Sequence, residues 1–513
     1  MKKALAASAI ACLPPAIAAQ SSGFGPSNVI SLLASGAQCV YASDLDNDGD
    51  LDVLSASAND NKIAWYANDG MGSFGNQQVI SNTASLARSV YSADIDGDGD
   101  MDVLSASFND NTIAWYPNAG MGNFGPKQVI SSAAMGAQFV YATDIDGDGD
   151  ADALSASYWD NKIAWYENLG SGFWSSQKII TTAASGANSC YAADLDGDGD
   201  PDVLSASSLD NHVAWYANDG TGNFGAKQII ATGLSGARDV HAADLDGDGD
   251  FDVLWASVFD DTIAWQANNG LGAFAPPQVI TTAADFVQDI FAIDVDGDGD
   301  VDALSASGND DKIAWYANDG LGNFGPQRVI TSNANAAWSV YAADLNDDGH
   351  PDVLSASQSD NKVAFYINQL PPPATSTATP YGTGCGTLPL TFTATSTAIT
   401  GQAVTGEVTS TPTPFCVISF GLSNTTMAGI GLLPFDLSSI GMAGCMLQQS
   451  ADIFGLPTTG AGVAFQMNFA TLLPSNPALV GSHFYLQAFS IAPGVNPLEV
   501  ISSNGIDFLI GNQ

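Results

Sequence analysis

Five aspartates within nine residues, Asp44-Leu45-Asp46-Asn47-Asp48-Gly49-Asp50-Leu51-Asp52, form an all-oxygen donor set around a glycine. Carboxylates at alternate positions, with Gly where the chain must turn back sharply, make a cage for a hard divalent cation. Without one, each close pair at ~5 Å repels by roughly 1–3 kcal/mol as the effective dielectric falls from ~80 to ~20. Oxygen donors without Cys or His favour calcium over zinc. The segment recurs every 50 residues, seven times in all. The second copy supplies Asp94, Asp96, Asp98, Asp100 and Asp102, and the third Asp144, Asp146, Asp148, Asp150 and Asp152. Asp194, Asp196, Asp198, Asp200 and Asp202 form the fourth, followed by Asp244, Asp246, Asp248, Asp250 and Asp252. The sixth has Asp294, Asp296, Asp298, Asp300 and Asp302, and the seventh Asp344, Asn346, Asp348, His350 and Asp352. Up to seven Ca2+ ions are expected, held most weakly by the seventh loop, whose charge is lower. An EF-hand would need Glu at loop position 12 and flanking helices, but position 12 is Ser55 and a strand-like run follows.

The elements that must position these loops are short extended segments. In the second repeat, Ser89–Ala93 leads into the loop and Asp102–Phe108 leaves it; Thr112–Tyr116 and Phe124–Ile130 complete the unit. Runs of Val, Ile, Tyr, Trp, Phe and Ser separated by Gly, Asn and Asp read as strands, with Asn68-Asp69-Gly70 and Asn218-Asp219-Gly220 as tight turns. Four strands per repeat at a fixed period mark radial blades. The array opens with an orphan fourth segment, Phe24–Ile30, and ends after a third, Val363–Tyr366. The orphan strand can complete the last blade and remove an exposed edge. The reading is all-β: a seven-bladed β-propeller over 20–368, followed by a smaller β-sandwich-like domain.

The formal net charge is −43, and 34 of the 55 acidic residues lie in the loops. Seven divalent ions would bring it to about −29. The 12 Lys and Arg form no basic stripe, and none follows Lys362, so nucleic-acid and anionic-membrane partners are excluded. Residues 1–19 read as a secretory signal: Lys2 and Lys3, the apolar run Ala4–Leu13, then Ala16-Ile17-Ala18. Ala11-Cys12 offers an alternative, lipid-anchored reading. The run is too short to span a bilayer, and no later segment is long enough. A secreted or cell-surface protein is expected. Cys39, Cys190, Cys385, Cys416 and Cys445 leave an odd thiol. Cys190 stands where other repeats carry Val40, Val90 or Val140, as a small buried residue would. A Pro/Thr-rich linker occupies 369–379. Alternating stretches at Leu390–Thr395, Val463–Phe469 and His483–Ile491 indicate a β-rich domain over 380–513.

The pattern Asp-x-Asp-x-Asp-Gly-x-x-Asp between strands, with one Phe-Gly segment per unit, resembles the FG-GAP/VCBS repeats of integrin-α-type propellers. The resemblance spans 24–366. It implies that side chains at loop positions 1, 3, 5 and 9 and the backbone carbonyl at position 7 bind calcium. Trp65, Trp115, Trp165, Trp215, Trp265 and Trp315, with Phe365 last, are read as wedges between blades rather than sugar platforms.

Opposite the loops, each blade presents its second-to-third connection and the entry to its first strand. There Arg88, Tyr158, Trp159, Arg238, Phe259 and Trp338 break the repeat, and variable loops on a rigid scaffold are where binding usually resides. His212, His241, His350 and His483 are scattered, and the Leu-Ser-Ala-Ser strands repeat as structure, so no catalytic constellation is present. The expected function is non-enzymatic recognition or adhesion toward an extracellular glycan or surface protein. A calcium-dependent polysaccharide lyase or hydrolase and a structural surface component are the alternatives.

Overall fold

The computed structural model describes residues 23–370 in full, and beyond them the backbone of strands from Thr377–Tyr381 to Val500–Gly511. Each repeat becomes one four-stranded antiparallel sheet. In the first, Ala37–Ser43, Asp52–Ser57, Lys62–Tyr66 and Gln78–Ser81 are hydrogen-bonded in that order. Seven such sheets surround a central channel lined by their first strands. The ring closes as the sequence implies: Asn28–Ser31 pairs with Lys362–Tyr366, placing Asn28 opposite Phe365 and Val29 opposite Ala364. Gly25 N donates to Ile367 O at 2.8 Å and Gln369 N to Gly23 O at 2.7 Å, sealing the seam.

Every second strand is buried along its whole length, because neighbouring blades cover both faces. Its small Ser and Ala side chains let sheets approach closely, and Ser55 Oγ meets Tyr66 OH at 3.3 Å inside the blade. The tryptophans are core, as expected: Trp65 is buried and meets Phe124 of the next blade edge-on, with ring centroids 6.2 Å apart. The ring lies against Gly122, whose φ is +63°, where an added Cβ would overlap it. Three strands of the second repeat differ from expectation at their ends: the first begins at Ala87 and the second stops at Ser107. The fourth strand of the second repeat is Gln128–Ser131, because Phe124 is occupied by Trp65 and Gly125 N caps Pro117 O at 2.7 Å.

Two rings of polar staples join the blades. On the acidic-loop side, Asn118 Nδ2 donates to Leu45 O in the preceding blade's loop (2.7 Å) and to Met101 O in its own (3.0 Å). Asn68, Asn168, Asn218, Asn268, Asn318 and Asn368 repeat the bond to the preceding loop. On the opposite side, Asn61 adopts φ 59° and its Oδ1 accepts from Leu86 N of the next blade at 2.9 Å. Asn and Asp tolerate this left-handed conformation better than other side chains. Equivalent bonds run from Asn111 through Asp261 to Asn361, the last reaching Gly36 N across the seam.

Strands Thr391–Ala394, Phe465–Leu472 and His483–Ile491 overlie the alternating stretches read from the C-terminal sequence. The expected signal segment and residues 371–376 of the expected linker lie outside the described residues. So do the side chains of Cys385, Cys416 and Cys445. Cys39 and Cys190 are free thiols, and Cys190 is buried. Among the described residues, no helix is long and apolar enough to cross a membrane.

Candidate functional site

The acidic loops and the variable connections lie on opposite faces of the ring. In each loop, backbone amides fix the carboxylates. Asp94 accepts from Gly97 N (2.8 Å) and Gly99 N (3.0 Å), and Asp98 Oδ1 accepts from Asp100 N (3.0 Å). Gly49, with φ +98°, makes the sharp turn at position 6. Donor oxygens of Asp44, Asp46 and Asp48 lie within 4.8 Å of one another, as do those of Asp94, Asp96 and Asp102. Parallel groups occur at Asp144, Asp146 and Asp152, at Asp194, Asp196 and Asp202, and at Asp244, Asp246 and Asp248.

Position 3 presents an oxygen that the protein itself leaves unpartnered. Oδ1 of Asp46, Asp96, Asp146, Asp196, Asp246 and Asp296 is buried and has no hydrogen-bond partner. Burial, then the neighbouring Asp48 and Asp44 charges, pushes Asp46 above its ordinary range. A buried acceptor left without a donor is costly, and a cation satisfies it. The residues present therefore fit a hard divalent ion.

Position 9 has a second task. Asp52 is fully buried; its Oδ2 accepts from Leu45 N at 3.0 Å and its Oδ1 from Asn68 N at 2.8 Å. Burial lifts its pKa to about 7, and the equivalents Asp102, Asp152, Asp202, Asp252 and Asp352 to about the same value. This aspartate thus links the loop to the Asn staple as well as facing the cage. Position 7 contributes differently: the Asp50 side chain packs on the turn at Gly70. In the seventh loop Asn346 Oδ1 accepts from Asp348 N at 3.0 Å, and Asp344 Oδ2 from Gly349 N at 2.8 Å.

On the other face, the turn after each second strand is bonded to the entry of the first. Ala58 N donates to Gly36 O and Asn59 N to Ser35 O. The turns consequently lean over the channel and frame a cavity of about 340 Å3. Arg88, Tyr158, Arg238, Phe259 and Trp338 all line it. Trp159 does not: it stands on the rim, 62% exposed, against Tyr158 (centroids 4.9 Å apart) and Phe108 (5.8 Å). Phe108, Leu209 and Phe286 line the cavity but lie outside the set expected from sequence. Phe286 carried a usable signal, since it stands where other repeats have Gly36, Gly136, Gly186 or Gly236 and keeps φ 60°.

Arg88 and Arg238 both stack on Trp338, with guanidinium carbons 5.6 and 5.2 Å from the ring centroid. Arg88 also lies 5.2 Å from the Phe108 centroid. Arg88 Nη1 donates to Gln38 Oε1 at 2.6 Å, and Arg238 Nη1 to Asn188 Oδ1 at 3.2 Å. Burial, then the charge of Arg238, lowers the Arg88 pKa to about 10. One layer deeper, Asp239 Oδ2 accepts from Ile290 N (3.0 Å) and Asp289 Oδ2 from Val340 N (2.8 Å). Burial and then Asp239 hold Asp289 well above the usual carboxylate range. Beneath them Tyr41, Tyr91, Tyr141, Tyr191, His241, Phe291 and Tyr341 form a closed aromatic ring, with successive centroids 4.3 to 5.3 Å apart. Burial lowers the His241 pKa to about 4, so it sits in that ring as a neutral imidazole at neutral pH.

A family model described as FG-GAP-like repeat matches residues 44–105, 94–155, 144–205, 194–255 and 294–355. No curated protein matches the sequence. Among solved structures, one is an Agrocybe aegerita lectin described by its specific recognition of non-reducing terminal N-acetylglucosamine. It is 20% identical, with a TM-score of 0.46, covering 63% of this chain and 86% of the lectin. Another is BBS1N in complex with ARL6DN, 12% identical with a TM-score of 0.50, covering 69% of this chain and 98% of that one. At that identity the likeness is one of fold.

Proposed function

The chain belongs to the FG-GAP-like repeat family, and from that premise we propose that it is an exported, calcium-loaded recognition protein that binds its ligand in the channel mouth. The carrying observation is convergence: residues that break an otherwise uniform repeat, drawn from several blades, line one cavity. Its volume falls within the ~300–1,000 Å3 usual for small-ligand sites, and aromatic walls with a few polar groups are the usual lining.

Calcium would be held by the carboxylates at positions 1, 3 and 5, with position 9 behind them and the position-7 carbonyl completing the set. It would supply the positive charge that lets five carboxylates share nine residues. The unpartnered position-3 oxygens support this reading. Ions bound only by folded loops stabilise the ring and keep the opposite face rigid. The reading is non-enzymatic: His241 is enclosed in the aromatic ring, and the mouth carries arginines, amides and aromatics without a nucleophile–base pair. The region over 380–513 would serve as an attachment module.

The test is capture of extracellular glycans and surface proteins from an array by the mature chain, with and without calcium. Tyr158→Ala and Trp338→Ala should each weaken capture by ~2 kcal/mol or more, the usual cost of truncating a buried aromatic anchor. The calcium-dependent melting curve should stay unchanged in both. Undiminished capture by both variants would move the binding site away from the mouth.

A further inference from the structure

Resting on that reading of the mouth, we infer that the ligand is an acidic saccharide, a pyranoside bearing a carboxylate, with its charge between Arg88 and Arg238 and its ring against the aromatic wall. Three observations carry this. First, two guanidinium groups lie over one tryptophan ring, and neither makes an ion pair among the described residues. The charge of Arg238, after burial, disfavours that of Arg88, and an anion would relieve both. Second, Arg88 Nε in the wall and Gln38 Nε2 just beyond the cavity lining are both buried and lack acceptors, so unused donors stand here. Planar guanidinium forks suit a carboxylate, which can accept from two donors at once.

Third, among the described residues the nearest acids make no direct ion pair with either arginine. Asp239 and Asp289 lie deeper, tied to backbone amides, and burial, then Asp239, pushes Asp289 well above the usual carboxylate range. The remaining surroundings point to a sugar rather than a bare anion. Tyr158, Phe108 and Phe286 give ring faces for C–H surfaces, while Gln138, Asn188 and Gln288 offer amide donors and acceptors for hydroxyls.

The experiment titrates the calcium-loaded mature protein with glucuronate-, galacturonate- and mannuronate-containing oligosaccharides, each paired with its carboxyl-reduced counterpart. At least one uronate should bind, and its reduced partner about tenfold more weakly or worse. Binding should fall as salt rises. Arg88→Gln and Arg238→Gln should each erase the preference for the acid form while preserving the calcium-dependent melt. Equal binding of acid and reduced forms, or a preference that survives both arginine variants, overturns the inference. If Tyr158→Ala still abolishes that binding, the mouth reading itself stands. Binding by no uronate overturns it as well, as does displacement by acetate at equal concentration, which would leave only a bare anion pocket. The acid-versus-reduced comparison needs no variant, so it decides even if an arginine substitution unfolds the chain.

Discussion

The two faces of this ring are built by the same repeat yet obey opposite rules. On one, Asp-rich loops are nearly identical in every blade, and each is clamped to its neighbour by an asparagine such as Asn118 or Asn218. On the other, the turns keep their backbone bonds but exchange side chains freely: Ala58-Asn59 in one blade, Tyr158-Trp159 in another, Val258-Phe259 in a third. Uniformity follows where seven loops meet one problem, the crowding of carboxylates. Variety follows where side chains from six blades enclose one shared volume. A propeller lets a chain separate the two tasks, because strand ends alternate between faces.

The comparison breaks most severely if the acidic face can be emptied without consequence. Excess chelator should lower the melting temperature by about 10 °C or more, since each site filled at a hundredfold excess over its dissociation constant contributes about 2.7 kcal/mol. A melting curve indifferent to chelation would reduce the loops to solvated turns.

Deleting residues 20–30 should come next in size. It removes the strand Asn28–Ser31 that closes the seventh blade and leaves Lys362–Tyr366 as an unpaired edge. Aggregation on size-exclusion chromatography is the expected outcome, against a monodisperse profile for a chain cut after Leu370. A soluble, equally stable deletion would show that both faces survive an open ring.

Asn218→Ala sharpens the claim that the acidic face is clamped. It strips the donor from Ile145 O in the preceding loop and from Pro201 O in its own. Loss of about 1–3 kcal/mol in a denaturant titration is expected, with weaker calcium binding at those two loops. The same substitution at exposed Asn223, which bonds only within its own turn, should cost far less.

The smallest expected effect lies in the channel beneath the variable face. The Asp289 pKa is raised in the folded chain by burial and by Asp239, so the folded state holds a proton that the unfolded state releases near 3.8. Folding stability contributed by this group is therefore lost as pH rises from that value through the raised one. Asp289→Asn should flatten that decline and raise the melting temperature at pH 8 relative to pH 4.5, measured against the parent. An unchanged difference between the two pH values would show that the two carboxyl groups do not share a proton.

Much of this molecule was legible before folding. The 50-residue period, the orphan segment at Phe24–Ile30 and the missing fourth strand after Tyr366 specified blade count and closure, because an unpaired edge is unfavourable whatever the side chains. The clustering of carboxylates in each loop was legible from spacing alone. Strand entry points were less legible: Phe124 has the residue type of a strand, but packing on Trp65 delays the strand to Gln128.

The meetings between blades arise only once the ring closes. Asn118 reads as a turn residue, and nothing local reveals that its amide reaches Leu45 O, 73 residues earlier. Tyr41 and His241 look like repeat variants until curvature of the ring brings seven such residues into one closed aromatic belt. Arg88 and Arg238 are 150 positions apart, yet both rest on Trp338. Local spacing fixes turns and strands through backbone geometry. Closing the ring sets which side chains, remote along the chain, must share a charge or a surface, and the mouth exists only there.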